Sequence, residues 1–397
     1  MLHKDKLIAL CIAKESGQYG VPYSAEDYDA SKYRYLRITD IADDGRLLDN
    51  DLKSVSGKNL ESYLLSDNDI VFARTGNSTG RSYLYDKRHG DLVYAGFLIR
   101  YKIDENKINP KYLRYFTNSN YYKQWVNNLS NGSTRGNINA QTFADCDIVY
   151  PDRSQQETLV NTLSCIDEKI ALNTRMNAEL EAMAKQLYDY WFVQFDFPDE
   201  NGKPYKSSGG KMVYNPTLKR EIPAGWEVSQ IGDILDRVES TPRLTTSEYL
   251  SQGKYPIIDQ TTDIYFAGFT NREEAILYQY PAIVFGDHSC AVKYINYPFA
   301  RGADGTQIIL SKNKNVSIEY LYFYIRGINI GKGYARHFGF VKDYPLIIPS
   351  KSSAMLFKNS AEKLFTKMMQ LRLEIIHLTH LRDSLLPMLM NGQVTVE

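Results

Sequence analysis

The amino-acid sequence predicts an α+β fold, in which two similar domains with curved, mostly antiparallel sheets are separated by two long antiparallel coiled-coil helices with pseudo-twofold symmetry. Three observations predict it: an internal repeat in the 397 residues, two stretches with heptad spacing of apolar residues, and short β-rich runs punctuated by turn residues. We expect domains over 1–150 and 222–349, long helices over 151–195 and 350–397, and a linker over 196–221.

The composition is that of an ordinary globular protein, with 43% apolar and 24% charged residues. No run approaches 18 consecutive apolar residues, so we expect no membrane helix. The 4 cysteines lack a CxxC pair, which argues against zinc and against a disulfide framework and favours the cytoplasm. A net charge of zero argues weakly against tight DNA binding by the chain alone.

The repeat consists of three pairs of matching stretches that occur in the same order. They are DIVFARTG and AIVFGDHS, YLRYF and YLYFY, and FADCDIVYP and FVKDYPLIIP. The first pair predicts strands, the second short amphipathic helices, and the third a final strand. Each third stretch is followed by polar residues and a helical pattern, so the order is domain, helix, domain, helix.

The first long helix has heptad rows that are interrupted by Asn173 and Asn177, and polar residues in such a seam fix the register at a cost in stability. The second has similar rows until Arg382, and we expect Pro387 to end it. A helix of about 38 residues spans about 57 Å, too long for a domain of about 150 residues to cover, although packing of each helix on its own domain is an alternative. The predicted seam residues are Leu159, Leu163, Ile166, Ile170, Leu180, Leu187, Phe357, Leu364, Met368, Leu371, Ile375, Leu378 and Leu385.

Between the first helix and the second domain lies a segment rich in Gly, Pro, Ser and Lys, for which the composition predicts an exposed linker.

Several motifs suggest enzymes, and none is complete. A PD…DEK nuclease pattern places its DEK, Asp167 to Lys169, inside the heptad helix, where a solvated face is the better interpretation. The NYPF stretch starting at Asn296 resembles an adenine-methyltransferase motif, but the first proline and an FxGxG loop are missing. His377 and His380 share a helical face without further ligands. We therefore predict no catalytic, cofactor-binding or metal-binding residue in this chain.

Polar loops remain as candidate DNA contacts, although solvated loops are the alternative for each. Arg, Asn and Ser side chains contact base edges, and glycine lets the backbone approach phosphate. The candidates are Arg74, Thr75, Asn77, Ser78, Arg81, Ser133, Thr134, Arg135, Asn137, His288, Lys293, Arg301, Lys332, Arg336 and His337.

The whole chain resembles the specificity (S) subunits, HsdS, of type I restriction-modification systems. The most specific stretches are LYDYWFVQFDFPDENGKPYKSSGGKMVYN, EIPAGWEV and LRDSLLPMLMNGQV, and YLRITDI and ARTG are also similar to the family. The N-terminus departs from this pattern, because it lacks a PxGW entry like that of the second domain.

The resemblance implies a non-catalytic DNA-binding subunit whose target-recognition domains each recognise one half of a bipartite target in double-stranded DNA. It implies that two modification (methyltransferase) subunits, which carry S-adenosylmethionine and methylate adenine, dock on the helices, and that restriction (translocase/nuclease) subunits join them. The helices would act as the spacer. Two alternatives remain at this point: a stand-alone DNA adenine methyltransferase with a recognition domain, and a coiled-coil adaptor without a DNA role.

Overall fold

A computed structural model describes residues 2–130, 137–262, 264–302, 305–330 and 336–390. Within these ranges, no helix combines the length and apolar character needed to cross a membrane.

The chain divides into two compact units. The first unit comprises Met1–Ile170 and His377–Glu397, and the second comprises Ala171–Ile376. The unit boundary therefore falls inside both long helices, α4 (Arg153–Tyr188) and α8 (Lys351–Met390).

The described residues of the first unit form ten strands and three shorter helices besides its parts of α4 and α8. The strands are β1 Leu2–Lys6, β2 Gln18–Tyr19, β3 Glu26–Asp27, β4 Arg34–Leu36, β5 Lys53–Ser54, β6 Asp69–Ala73, β7 Ser82–Leu84, β8 Leu92–Tyr94, β9 Leu98–Lys102 and β10 Asp147–Pro151, and the helices are α1 Pro110–Phe116, α2 Asn120–Ser130 and α3 Ala140–Ala144. The sheets have the orders β2-β9-β6-β7, β3-β5-β4-β8 and β1-β10, with β4–β8 parallel and the other strand pairs of these sheets antiparallel.

The part of the second unit that the structure describes repeats this plan with eleven strands. They are β11 Met212–Asn215, β12 Arg220–Pro223, β13 Glu227–Gln230, β14 Tyr255–Ile258, β15 Gly268–Thr270, β16 Ile276–Leu277, β17 Ala282–Gly286, β18 Val292–Ile295, β19 Phe299–Arg301, β20 Thr306–Ile309 and β21 Pro345–Ile348, and the short helices are α5 Ile231–Ile234, α6 Ile318–Arg326 and α7 Phe338–Asp343. The sheets have the orders β18-β17-β20, β15-β14-β19-β16, β13-β21 and β11-β12, with β14–β19 parallel. The predicted α+β class with mostly antiparallel sheets is confirmed.

The sequence repeat corresponds to matching elements in the two units. The β-branched and aromatic residues of β6 and β17 form fully buried central strands. Asn109 caps α1 and Ser317 caps α6, each through its side-chain oxygen. In each unit a buried tyrosine of that helix donates to the final strand: Tyr112 Oη to Val149 O at 3.0 Å, and Tyr320 Oη to Ile347 O at 2.7 Å.

The long helices run antiparallel within each unit. In the first unit, Arg382 Nη1 of α8 lies 3.2 Å from Asp167 Oδ1 of α4, and Leu386 packs in the same core as Leu163. In the second unit, Asn177 Nδ2 donates to Met368 O at 2.9 Å, and the ring of Tyr188 contacts that of Phe357.

The predicted seam residues are buried or half-buried. The buried ones are Leu159, Leu163, Ile166, Ile170, Phe357, Met368 and Leu371, and the half-buried ones are Leu180, Leu187, Leu364, Ile375, Leu378 and Leu385.

Pro387 does not end the last helix, contrary to the sequence prediction, because α8 continues to Met390. A proline removes one backbone hydrogen bond and strains the preceding turn. Here Leu386 is buried in the core of the first unit, and Leu385 and Leu389 pack against it, so burial of apolar side chains offsets that cost.

The predicted linker is also corrected, because residues 196–221 belong to the folded second unit. Phe197 is 5% exposed and stacks on Trp226 with ring centroids 4.9 Å apart. The carboxylate of Asp196 accepts hydrogen bonds from the backbone nitrogen and hydroxyl of Ser207. Composition indicated a linker because glycines and lysines outnumber the few aromatic residues that anchor this segment.

Candidate nucleic-acid interface

In the first unit, Arg74 directly follows the central strand β6, at a point where three segments meet. Arg74 N donates to Phe97 O at 3.0 Å, and Ile138 N donates to Arg74 O at 2.9 Å. We call this pair of backbone bonds the strand-end frame. The frame brings the sequence-predicted residues Arg74 and Asn137 together.

The guanidinium of Arg74 is held on two sides. Its Nε donates to Asn137 Oδ1 at 3.2 Å, and its Cζ lies 4.9 Å from the ring centroid of Tyr19. The hydroxyl of Tyr19 in turn accepts a hydrogen bond from Ala140 N at 3.1 Å, at the start of α3. Stacking and hydrogen bonding together restrict the plane of the guanidinium.

Other candidates of the first unit have different environments. Asn77 is exposed and Thr75 half-buried, whereas Ser78 is only 7% exposed. Arg81 is bound within the fold, since its Nη1 donates to Ile41 O at 3.0 Å and its Nη2 lies 2.6 Å from Asp43 Oδ1. The candidates Ser133, Thr134 and Arg135 lie outside the described residues.

The second unit has the same strand-end frame after β17, with different side chains. Asp287 N donates to Gly305 O at 2.7 Å, and His337 N donates to Asp287 O at 3.0 Å. Asp287 therefore occupies the position of Arg74, and Arg336, which is exposed, occupies that of Asn137. The carboxylate of Asp287 also accepts from Phe338 N at 2.8 Å, at the start of α7.

Lys293 is inside the second unit, which corrects its prediction as a surface contact. It is 5% exposed, and its Nζ donates to Ile264 O at 2.7 Å. Burial lowers the pKa of Lys293 to about 8, although Asp259 at 4.0 Å opposes this effect. Its ammonium group is thus satisfied by the protein interior.

The remaining candidates of the second unit lie near the same frame or on β19. His288 is half-buried, and its backbone nitrogen donates to Gln260 Oε1 at 3.3 Å. His337 is 8% exposed. Arg301 is half-buried, and burial together with the nearby charge of Arg243 lowers its pKa. Lys332 lies outside the described residues.

Asp167 of the DEK stretch is engaged in a polar cluster of the first unit. It accepts a hydrogen bond from Tyr115 Oη at 2.8 Å and lies near Arg382 and Arg114, at 3.2 and 3.5 Å. The solvated-face interpretation is therefore wrong for Asp167, which stabilises the fold. No group of three or more potential metal-ligating side chains occurs within the described ranges.

The sequence prediction missed Tyr19, which holds the guanidinium of Arg74, and it missed Phe97 and Asp287, which belong to the frames of the first and second unit. A signal for Asp287 was present, because alignment of DIVFARTG with AIVFGDHS places it opposite Arg74. Tyr19 and Phe97 reach Arg74 from distant stretches, without a local pattern. Phe97 is 59% exposed, which is unusual for a phenylalanine.

The model of the family "Type I restriction modification DNA specificity domain" matches residues 15–182 and 223–353, which is more than half of the chain. The two matched stretches fall on the two repeated domains.

The chain belongs to this family.

Named relatives agree with this membership. The type I restriction enzyme MjaIX specificity subunit of Methanocaldococcus jannaschii is 28% identical over 319 residues, covering 74% of this chain and 71% of the relative. The HindI specificity subunit of Haemophilus influenzae is 22% identical over 408 residues, covering 82% and 86%. The fold is similar to that of the type I S subunit from M. genitalium, with a TM-score of 0.59 at 17% identity, covering 98% and 96%.

Membership in the type I specificity family confirms the predicted function class, in which the chain supplies DNA specificity rather than catalysis. A stand-alone methyltransferase and a DNA-independent adaptor are not favoured. The family acts in complexes with other restriction-modification subunits. Which residues contact DNA stays a prediction.

Proposed function

We propose that the chain recognises a bipartite sequence in double-stranded DNA, with one half of the target recognised by each unit. The observation that carries this proposal is the duplicated strand-end frame. The same backbone hydrogen bonds present Arg74 and Asn137 in the first unit but Asp287 and Arg336 in the second. Two similar frames with different polar side chains suit two different half-targets.

The paired helices α4 and α8 are proposed to act as the spacer and as the docking site for two methyltransferase subunits, with restriction subunits joining that core. Met183 at 56% and Leu172 at 40% exposure are apolar side chains of α4 that are accessible to a partner. The net charge of zero supports dependence on partners for the phosphate contacts.

The methyl donor S-adenosylmethionine is proposed to bind the methyltransferase subunits, which would also hold the flipped adenine. We also propose a cytoplasmic location, which is supported by four cysteines without a disulfide.

The test is a domain exchange in the assembled complex. Residues 1–150 are replaced by the corresponding domain of another specificity subunit, with Leu163 and Leu386 retained because both lie in the core of the first unit. Sequencing of methylated adenines should show that one half-target changes and the other is kept. The reciprocal exchange of 222–349 is the matched control and should change the other half. Changes in both halves after a single exchange would refute the assignment.

A further inference from the structure

We propose that Arg74, held between Tyr19 and Asn137, recognises a guanine in the half-target of the first unit, and that the strand-end frame is the position where the two units differ in base specificity. This inference rests on the proposed function and assigns a specific contact to it.

The backbone of the frame is shared, whereas the side chains on it are not. The residue after the central strand is Arg74 in one unit and Asp287 in the other. The carbonyl that accepts from this residue belongs to Phe97 in the first unit and to Gly305 in the second. The backbone N–H that donates to this residue belongs to Ile138 or His337, and the residue before that donor is Asn137 in the first unit and Arg336 in the second. All three matched positions differ in charge, size or hydrogen-bonding chemistry. Conserved geometry with variable chemistry is what sequence discrimination needs.

A phosphate contact would not require this difference. The phosphate backbone has the same charge in both half-targets, so a common backbone clamp would place a cation at the same position in both units. The position of Arg74 is instead taken by an acid in the second unit. The carboxylate of Asp287 accepts a hydrogen bond from Phe338 N, and the positively charged side chain of this frame is Arg336, at the position of Asn137.

The geometry of Arg74 favours guanine as the base. Its Nε is occupied by Asn137 and one face lies over Tyr19, and no further hydrogen bond joins this guanidinium to a described residue. The terminal Nη1 and Nη2 are thus left as a planar pair of donors. Such a pair matches the O6 and N7 acceptors at the major-groove edge of guanine. A fixed plane adds the directional precision that a base contact requires.

Phe97 borders this arginine and adds an apolar surface. Its carbonyl is bonded to Arg74 N while its side chain is 59% exposed. An exposed aromatic ring beside a guanine contact suits a neighbouring thymine methyl group. The matched residue in the second unit is Gly305, with a φ of +83° and no side chain to make such a contact.

The experiment uses the complex of the full chain with its methyltransferase subunits and a duplex library randomised over the target. For Arg74→Ala, methylation should lose its preference for guanine at one position of one half-target, by about 5- to 150-fold. Arg74→Lys should lose the same preference, because lysine keeps the charge but not the planar fork. The other half-target should not change.

Arg88→Ala is the matched control. Arg88 belongs to the same unit, its side chain is 76% exposed, and it pairs with Asp86, so its loss should leave every target position unchanged. Asn137→Ala is a second variant that keeps Arg74 and releases its Nε, and it should weaken the same preference partially. Thermal unfolding of each complex checks folding.

Three results would overturn the assignment. In the first, Arg74→Ala reduces methylation equally for all sequences, and the salt dependence of DNA binding falls by about one ion. If Arg74→Lys then restores methylation, Arg74 contacts a phosphate. Arg74→Ala could leave all positions unchanged, or alter a position that prefers another base. If the wild-type complex itself shows no bipartite preference, the proposed function fails instead, so the two failures are distinguishable.

Discussion

Buried tyrosines in both units donate hydrogen bonds to backbone carbonyls of other elements. Tyr112 and Tyr320 bond to the final strands, and Tyr122 Oη donates to Gly80 O at 2.9 Å. Burial raises the pKa of all three phenols, which keeps them protonated as donors. The high tyrosine content, 31 residues, thus serves in part to join irregular loops and short strands through side chains that are both large and polar at one end.

Lys293 makes stability depend on pH in a defined direction. Its pKa is lowered from the usual 10.5 to about 8 by burial, so the unfolded chain binds this proton more tightly than the folded chain does. Below about pH 8 both states carry the proton, and the folded state bears the cost of a buried charge. Between about pH 8 and 10.5 only the unfolded state carries it, so stability rises with pH.

We therefore predict a pH-dependent difference between wild type and Lys293→Met. The free energy of unfolding of the wild type, relative to the variant, should increase by about 3 kcal/mol from pH 8 to pH 10.5. Urea unfolding of both proteins across this range measures it, and the other titrating groups cancel in the difference. Two parallel curves would show that Lys293 titrates normally.

At the scale of elements, Asn173 and Asn177 place polar groups in an apolar helix pair. Asn173 is 0% exposed, and neither atom of its amide has a hydrogen-bond partner among the described residues. Asn177 is 8% exposed, but its Nδ2 donates to Met368 O at 2.9 Å. The side-chain amide of Asn177 therefore has a hydrogen-bond partner and that of Asn173 has none among the described residues, although both residues lie in the second unit.

Asn173→Leu should raise the free energy of unfolding by about 1–3 kcal/mol, because an unsatisfied buried amide is removed. Asn177→Leu is the matched control. Its free energy of unfolding should rise by at least about 1 kcal/mol less than that of Asn173→Leu, because the hydrogen bond to Met368 O is lost. Urea unfolding of the wild type and both variants measures these free energies of unfolding and ranks them. A less stable Asn173→Leu would contradict this prediction.

Strands and helices with a local sequence pattern were predicted correctly, whereas features that depend on contacts between distant parts of the sequence were not. The sequence repeat identified β6 and β17 because β-branched runs bounded by turns are local signals. Arg74 was predicted for the same reason, since it ends such a run. Lys293 was misplaced because its partner carbonyls are 28 and 29 residues away in sequence. Pro387 was misjudged because only tertiary burial of Leu386 shows why the helix continues.

For the whole molecule, we predict that the length of the helix pair sets the number of unrecognised base pairs in the target. Seven residues inserted at matched positions of α4 and α8 keep the heptad phase and lengthen each helix by about 10.5 Å. At about 3.4 Å per base pair, the spacer should grow by at most about three base pairs, with both half-targets unchanged. Sequencing of methylated adenines in host DNA measures the spacer.

An insertion of two residues in both helices is the control. At about 100° per residue it rotates the following turns by about 200°, so the apolar rows no longer face each other and assembly should suffer. If the seven-residue variant stays active with an unaltered spacer, something other than the helices measures the distance.

The first unit combines two stretches that are far apart in sequence, Met1–Ile170 and His377–Glu397. During translation, its opening segment leaves the ribosome long before its closing segment. The 206 intervening residues, 171–376, form the second unit, and at about 5–20 residues per second they take roughly 10 to 40 s to make. For that time Leu159 and Leu163, which pack in one core with Leu386, lack their final neighbour. Until Leu386 has been made, the apolar side chains that it covers are exposed to aggregation, and we expect chaperones to bind the nascent chain there.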